Sequence, residues 1–563
     1  VNPSEGEQLA KKGLSKDVAS DVRTVATGGA IQVVGQIAQR SLSFFFGVVF
    51  VRLLDKAGYG LYRFVAQILS IAAQLGLAGF NYAAMRFVSR ARAQKDHGGV
   101  KGALRVSLAG ASMASVVVFV LLFVATAPIA DFFGEASADE ADLVRLLRIG
   151  ALYVPLFAIL QVLRYCTQGY KTMIPSVVSG NIVQPAARYL IGVTVLALGF
   201  GVTGAVVALL VSVAIAAVVA GFYLRRMLTD DERGAVTHSP VRPMVRFALP
   251  QAGASLLGVQ TLGLGIILLK YFEGNEAVGI FGIALSLQGP GTVFLGGIVN
   301  IWAPVVSDLH ARGEIERLGA LYQTINRWIA TFSFPVFAAL IIMPEVFVSF
   351  YGVEQGDGTA AVVTVLALGN LFYTGTGPTG YVISMTGHPG VNFANSALSV
   401  ALYIGLGAWI VPTHGVLGMA AVDSAVTAFI NTLRVIEAKV LVGVQPFGRT
   451  FYKPVVATLA GAAVLLLWKL LPVDSLLFDA AGLVVGALVY IAALKMLGID
   501  QEERHVLNRI KKKAIKRKDA SRTPDQDAGG LGRTPDQDAG GLGRTPDQDA
   551  GGLGRTPDQD DGS

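Results

Sequence analysis

Stretches of roughly twenty mostly apolar residues recur along nearly the whole chain, each long enough to cross the ~30 Å hydrocarbon core of a bilayer as a helix. In that core every backbone N–H and C=O must be satisfied by the protein itself, which leaves only helices and closed barrels. Runs this long point to helices. The first six lie near residues 27–53, 63–85, 104–130, 147–167, 173–199 and 202–224. The next six lie near 244–269, 277–306, 327–350, 360–385, 389–412 and 415–434, and the last two near 453–471 and 476–497. Apolar residues make up 53% of the 563 residues and charged residues only 15%, against about 25% in soluble domains. So little polar surface cannot cover a body in water. The expected class is an all-α membrane protein with about 14 transmembrane helices.

Charge sets the expected orientation. Arg86, Arg90, Arg92, Lys95, Lys101 and Arg105 follow the second run. Arg225, Arg226, Arg233, Arg242 and Arg246 follow the sixth, and a basic stretch at 504–518 follows the last. Lys and Arg accumulate on the cytoplasmic side. Both termini are therefore expected in the cytoplasm, with the chain in a cell (plasma or inner) membrane. The acidic loop with Asp131, Glu135, Asp139, Glu140 and Asp142 then falls outside. Every external connection is short, which leaves no room for the outer domain that a surface sugar polymerase uses.

An internal repeat is legible. Arg52, Asp55, Gly60 and Tyr62 after the first run align, with one insertion, with Lys270, Glu273, Gly279 and Phe281 after the seventh. Asn181 and Tyr189 align with Asn395 and Tyr403, and Gly201 and Gly204 with Gly415 and Gly418. An even number of spans per unit makes the repeats parallel, and transporters place substrate between such repeats near mid-depth. The expected domains are a cytoplasmic segment 1–25, a six-helix lobe 26–226, a linker 227–243 and a second six-helix lobe 244–440. Two further helices at 441–500, a basic segment 501–521 and a repeat region 522–563 complete the chain. Together the lobes are expected to form a V-shaped cavity.

Three ionisable residues fall deep in the spans: Arg40, Arg188 and Asp423. Each costs ~2.5–3.5 kcal/mol on insertion scales unless it faces water or a partner. Helical spacing puts Gln32, Gln36, Arg40 and Ser43 on one face, and Gln67, Ser70, Gln74 and Asn81 on another. Asn181, Gln184 and Arg188 share a third face, and Asp423, Thr427 and Asn431 a fourth. These stripes are expected to converge on a hydrated cavity, with Arg40, Arg188, Gln36, Gln184, Asn181 and Gln74 as substrate-binding candidates. Interhelical hydrogen bonding is the plainer reading of any single Gln or Asn. Arg suits a phosphate because its planar fork donates two parallel hydrogen bonds. Asp423 either pairs with one of the arginines or carries a coupling proton or cation.

Other chemistry is not indicated. A single cysteine allows no intrachain disulfide, and the six histidines lack metal-ligand spacing. Gly375-Thr-Gly377-Pro-Thr-Gly380 imitates a dinucleotide loop but has no strand before it. No metal, cofactor or nucleic-acid partner is expected, and no nucleophile–base set marks an enzyme. Residues 1–25 carry Leu9, Leu14, Val18 and Val22 roughly on one side, which fits either a membrane-surface helix or a plain flexible lead. From Arg522 the unit Arg-Thr-Pro-Asp-Gln-Asp-Ala-Gly-Gly-Leu-Gly repeats. It is too polar and too rich in Pro and Gly to build a core.

Arg52-Leu-Leu with Tyr59-Gly-Leu-Tyr62, Phe272-Glu-Gly-Asn-Glu-Ala-Val-Gly-Ile-Phe281, Phe247-Ala-Leu-Pro250 and Phe350-Tyr-Gly352 carry a family resemblance. Over roughly residues 25–500 the chain resembles the polysaccharide-biosynthesis or oligosaccharide flippases of the multidrug/oligosaccharidyl-lipid/polysaccharide exporter (MOP) superfamily. The resemblance implies two six-helix lobes in alternating access. It also implies transport of a saccharide on a polyprenyl or dolichyl phosphate or pyrophosphate to the outer leaflet, supplied by glycosyltransferases and carried by a monomer. Basic cavity residues recur in that family and map here onto Arg40 and Arg188. Drug-exporting relatives often use a membrane carboxylate in the first lobe, and this chain has none at mid-depth there. A multidrug/cation antiporter is the alternative, with a membrane glycosyltransferase or polymerase behind it.

Overall fold

The computed structural model describes residues 3–498, apart from 135–136, 257–262, 353–356 and 474. The expected basic segment 501–521 and the repeats at 522–563 lie outside the described residues.

Every regular element among the described residues is helical. The first half holds α1 (Pro3–Leu77), α2 (Phe80–Ala93), α3 (His97–Phe133), α4 (Ser137–Ala151) and α5 (Tyr153–Gly169). After these come α6 (Ile174–Val177), a π-helical turn (Val178–Val183), α7 (Gln184–Ala197), α8 (Gly201–Met227), α9 (Asp230–Gly234) and α10 (Val241–Leu256). The second half holds α11 (Leu264–Ala311), α12 (Ile315–Ile342), α13 (Pro344–Ser349), α14 (Thr359–Thr376) and α15 (Thr379–Met385). It ends with α16 (Pro389–Leu441), α17 (Tyr452–Lys469) and α18 (Leu476–Met496). α1 begins at Pro3 and carries residues of the expected N-terminal segment in the same helix as the first span.

Three of these helices are hairpins. Non-helical backbone breaks α1 at Asp55 (φ 59), α11 at Gly274 (φ 84) and α16 at Gly415 (φ 55). Contacts across each break show that the arms fold back on one another. Phe50 meets Tyr62 with ring centroids 5.6 Å apart, Gly265 lies against the Phe281 ring, and Tyr403 donates to Asp423. Glycine reaches positive φ without a Cβ clash. Asp55 reaches it because its carboxylate accepts the Gly58 N–H at 2.7 Å, capping the returning arm.

These breaks fall at matched positions of the repeat: Asp55 with Gly274, and the positive-φ Gly201 that opens α8 with Gly415. The structural counterpart of Asp55 is therefore Gly274, and the alignment with Glu273 shifts by one residue. Ten helices among the described residues are long and apolar enough to cross a membrane. That total takes the 53-residue α16 as one helix; the expectation of fourteen took each hairpin arm as a pass.

α1 makes its most extensive contact with α11. The largest buried cluster runs without interruption from Phe50 and Phe64 through Leu147, Val213 and Phe281 to Tyr403 and Ile430. The paired α17 and α18 lean on α12, where the Tyr490 hydroxyl donates to the Thr331 carbonyl at 2.6 Å. On the basic-loop side the linker after α8 is fastened to α2, α3 and α5. Arg92 and Tyr170 both bond Glu232, at 3.1 and 2.9 Å, and His238 bonds Asp96 at 2.8 Å.

Candidate functional site

A cavity of ≈ 280 Å³ opens between the two arms of α1, α7 and α11. Three guanidinium groups line it: Arg40 from the first arm of α1, Arg63 from the second arm, and Arg188 from α7. No carboxylate is among the lining residues. Ser43, Gly47 and Phe50 continue the Arg40 face, Tyr59 and Tyr62 the Arg63 face, and Ser286 and Gly289 come from α11.

Each arginine is held differently. Arg40 reaches across to α11, where it donates to the Gly289 carbonyl at 3.2 Å and to the Thr292 hydroxyl. Arg188 donates through Nε to the Tyr62 hydroxyl at 2.7 Å, and its guanidinium lies over the Tyr62 and Tyr189 rings, 5.4 and 5.5 Å from the centroids. Cation–π contact of this kind gains strength where water is excluded. Arg63 lies 6.0 Å from the Tyr59 centroid, and its buried Nε has no hydrogen-bond partner among the described residues. An unsatisfied donor on a buried cation is costly. Three cations close together in low dielectric repel one another and favour an anion between them.

The approach to Arg188 is shaped by Pro185, which follows the π-helical turn and sits in the first turn of α7. Proline has no N–H to donate and its ring clashes with the preceding turn. Here the chain accommodates it by widening that turn instead of breaking the helix.

Of the residues singled out in the sequence, Arg40 and Arg188 line the cavity; Gln36, Gln74, Asn181 and Gln184 do not. Gln36 lies beside Arg40 where both flank Gly296 of α11. Gln74 and Gln184 are half-buried on their helices. Asn181 turns to α5 and accepts from Arg164 Nη2 at 3.0 Å. Arg164 also donates to the Ser176 carbonyl and to Gln161, both at 3.1 Å, so Asn181 belongs to a separate polar knot.

The stripe of Asp423, Thr427 and Asn431 does not join the cavity either. Asp423 accepts from Tyr403 within the α16 hairpin, and Asn431 donates to the Thr427 carbonyl at 2.8 Å. Pairing of Asp423 with either arginine, one of the two roles expected for it, is not what the structure shows. The fold-back of α16 brings Tyr403 to Asp423, while the arginines bond Tyr62, Gly289 and Thr292.

Sequence reasoning missed Arg63 because it stands at the edge of an apolar run. The signal was present: Arg63, Gln67, Ser70 and Gln74 follow at steps of four, three and four, a single helical face. Arg164 was missed in the same way, on a face with Gln161 and Gln168.

Comparison with known proteins gives the same architecture. An uncharacterized membrane protein of Bacillus subtilis (strain 168), YabM, is 22% identical over 516 residues, covering 84% of this chain and 93% of its own. Among solved structures, a lipid II flippase, MurJ, in an inward closed conformation superposes with a TM-score of 0.67 at 13% identity. That match covers 82% of this chain and 97% of the flippase. An inward-facing multidrug resistance MATE family transporter of the MOP superfamily superposes with a TM-score of 0.61 at 15% identity, covering 73% and 98%. Residues 25–310, just over half the chain, match the family of polysaccharide biosynthesis proteins. With that match over half of its length, the chain belongs to the polysaccharide biosynthesis protein family.

Proposed function

We propose that this membrane transporter is a flippase for a saccharide linked to a polyprenyl or dolichyl phosphate or pyrophosphate. It moves that cargo from the cytoplasmic to the outer leaflet for cell-surface polysaccharide or glycan biosynthesis. The observation that carries the reading is the cavity with three guanidiniums and no carboxylate. Such a site repels cations and rewards a compact anion with several oxygens, which phosphate and pyrophosphate supply.

At ≈ 280 Å³ the cavity is near the lower end of the ~300–1,000 Å³ range of small-molecule sites. In this conformation it suits the phosphate end of a head group, and the sugar needs the walls to part. On this reading residues 26–226 and 244–440 are parallel lobes that rock about the site. The matched backbone breaks at Asp55 and Gly274, and at Gly201 and Gly415, support such a repeat. The lipid tail trails between helices into the bilayer. Cargo biases the motion only by binding the two conformers unequally. Both termini face the cytoplasm, where glycosyltransferases load the carrier, and the working unit is a monomer in the cell membrane.

The multidrug/cation antiporter reading draws on the buried pair of Asp423 and Tyr403, a carboxylate that a coupling cation could use. A cationic drug would nevertheless have to enter a cavity whose charged lining residues are all arginines.

Flipping of a fluorescent polyprenyl pyrophosphate-linked saccharide in reconstituted vesicles tests the proposal. The parent is expected to flip it, and the combined Arg40→Ala, Arg63→Ala, Arg188→Ala variant to lose at least ten-fold in rate. A variant as fast as the parent would refute anion binding by this cavity.

A further inference from the structure

Just beyond the cavity, towards the hairpin tips, the backbones of α1 and α11 touch through two glycines. A Cβ placed on Gly60 would overlap the carbonyl of Asn275, and a Cβ on Gly279 would overlap the carbonyl of Lys56. The contact is reciprocal. Gly60 follows Lys56 by four residues, and Gly279 follows Asn275 by four. One helical turn of each arm thus presents a carbonyl and a bare Cα, each facing the complement on the other. A residue without a side chain lets two membrane helices meet backbone to backbone, close enough for weak Cα–H···O contacts. Gly60 and Gly279 are also partners in the internal repeat, so the contact is two-fold symmetric about an axis between the arms.

Position gives the contact its meaning. Tyr59 and Arg63, on either side of Gly60 in the chain, line the arginine cavity. On the opposite side Lys56 pairs with Asp357 at 2.7 Å, and Arg52 Nε donates to the Phe350 carbonyl at 3.0 Å. The contact therefore roofs the cavity at the hairpin-tip end, with a thin collar of polar links above it.

We infer that Gly60 and Gly279 form the outer gate of the transport path, a clasp that seals the cavity when the hairpins of α1 and α11 come together. The orientation of this gate rests on the reading above, which puts the hairpin tips outside. A contact without interlocking side chains excludes water when shut and separates without rotamer rearrangement, as a gate cycled once per cargo requires. Any side chain at either glycine acts as a wedge.

The test uses full-length chain with a cavity reporter, Ser43→Cys, and a membrane-impermeant maleimide added to one face of the membrane at a time. Gly60→Val and Gly279→Val are each expected to raise outer-face labelling at least ten-fold, with cytoplasmic-face labelling unchanged or lowered. Gly390→Val, where a side chain meets open space, is expected to leave both rates at the parent value. Parent-like outer-face labelling in both wedge variants would overturn the proposal. So would an increase confined to the cytoplasmic face, or an equal increase from both faces. A second arm does not depend on the wedges. Lys56→Cys with Asn275→Cys, bridged by a short cleavable bifunctional thiol reagent before Ser43→Cys is probed, is expected to abolish outer-face labelling until the bridge is cleaved. Failure of the bridge to form, or labelling at the parent rate through it, would also overturn the proposal. Neither arm measures saccharide transport, so a wrong cargo and a wrong gate give different results.

Discussion

The Tyr62 hydroxyl accepts a hydrogen bond from Arg188 Nε at 2.7 Å, joining the returning arm of α1 to α7 across the cavity wall. Tyr62 is 2% exposed. The pair fixes the direction of one of the three cavity guanidiniums, and the same contact is a strut between two helices.

Tyr62→Phe keeps the ring and removes the acceptor. Hydrogen bonds to charged groups contribute ~1.5–3 kcal/mol, and the variant is expected to lose about that much stability without ligand. An added polyprenyl pyrophosphate supplies a replacement acceptor and should recover part of the loss. Thermal unfolding in detergent, with and without the lipid, reads both effects.

Arg63 has an unsatisfied buried Nε and pairs with no acid among the described residues; on the proposed function it serves anion binding more than folding. Arg63→Gln is expected to weaken pyrophosphate-lipid binding at least ten-fold, equivalent to about 1.4 kcal/mol, while the melting temperature stays level or rises. Equilibrium binding alongside thermal unfolding separates the two; a large stability loss with unchanged affinity would make Arg63 structural.

Asp423 and Tyr403 close the α16 hairpin from inside. Asp423→Asn keeps an acceptor for the Tyr403 hydroxyl and is expected to fold like the parent. Asp423→Leu leaves that buried hydroxyl unpaired and is expected to cost ~1–3 kcal/mol. If flipping by Asp423→Asn is as fast as in the parent, and responds to an imposed ion gradient as the parent does, the coupling role is excluded. Loss of gradient dependence alone would establish it.

Asp96 caps α3 on the basic-loop side. Its bond from the Gly99 N–H at 2.8 Å, and then His238 at 2.8 Å, hold its carboxyl below the usual carboxylate range. A depressed folded value stabilises the docked state above the unfolded pKa of ~3.9, and that contribution is lost as pH falls through the folded value. Protection of the linker and the start of α3 against hydrogen exchange, relative to the intrinsic rate at each pH, should therefore be constant from neutral pH down to about pH 4 and fall below it. Asp96→Asn should flatten that acid response.

How much of this was legible in the chain differs from residue to residue. The run from Gly201 to Met227 is so uniformly apolar that only a membrane helix accommodates it, and α8 is that helix. Arg40 and Arg188 were identified by their cost: a guanidinium amid twenty apolar residues demands a reason. Asn181 and Asp423 met the same criterion of depth and stripe, yet one bonds Arg164 and the other Tyr403. A stripe specifies which way a side chain leaves its own helix and is silent about which helix stands opposite.

Local composition by itself determined that the chain lives in a bilayer as helices, that two halves echo one another, and that positive charge is buried in the first. Those features depend on transfer of side chains from water and on backbone torsion, which neighbouring residues set. Only the tertiary structure decided that Arg63 joins Arg40 and Arg188, that Asp423 stands apart, and that Gly60 meets Asn275 while Gly279 meets Lys56. The reason is geometric: those pairings depend on where the hairpins fold and cross, and residues distant in the chain, more than two hundred positions for the two glycine contacts, carry no local signal of their meeting.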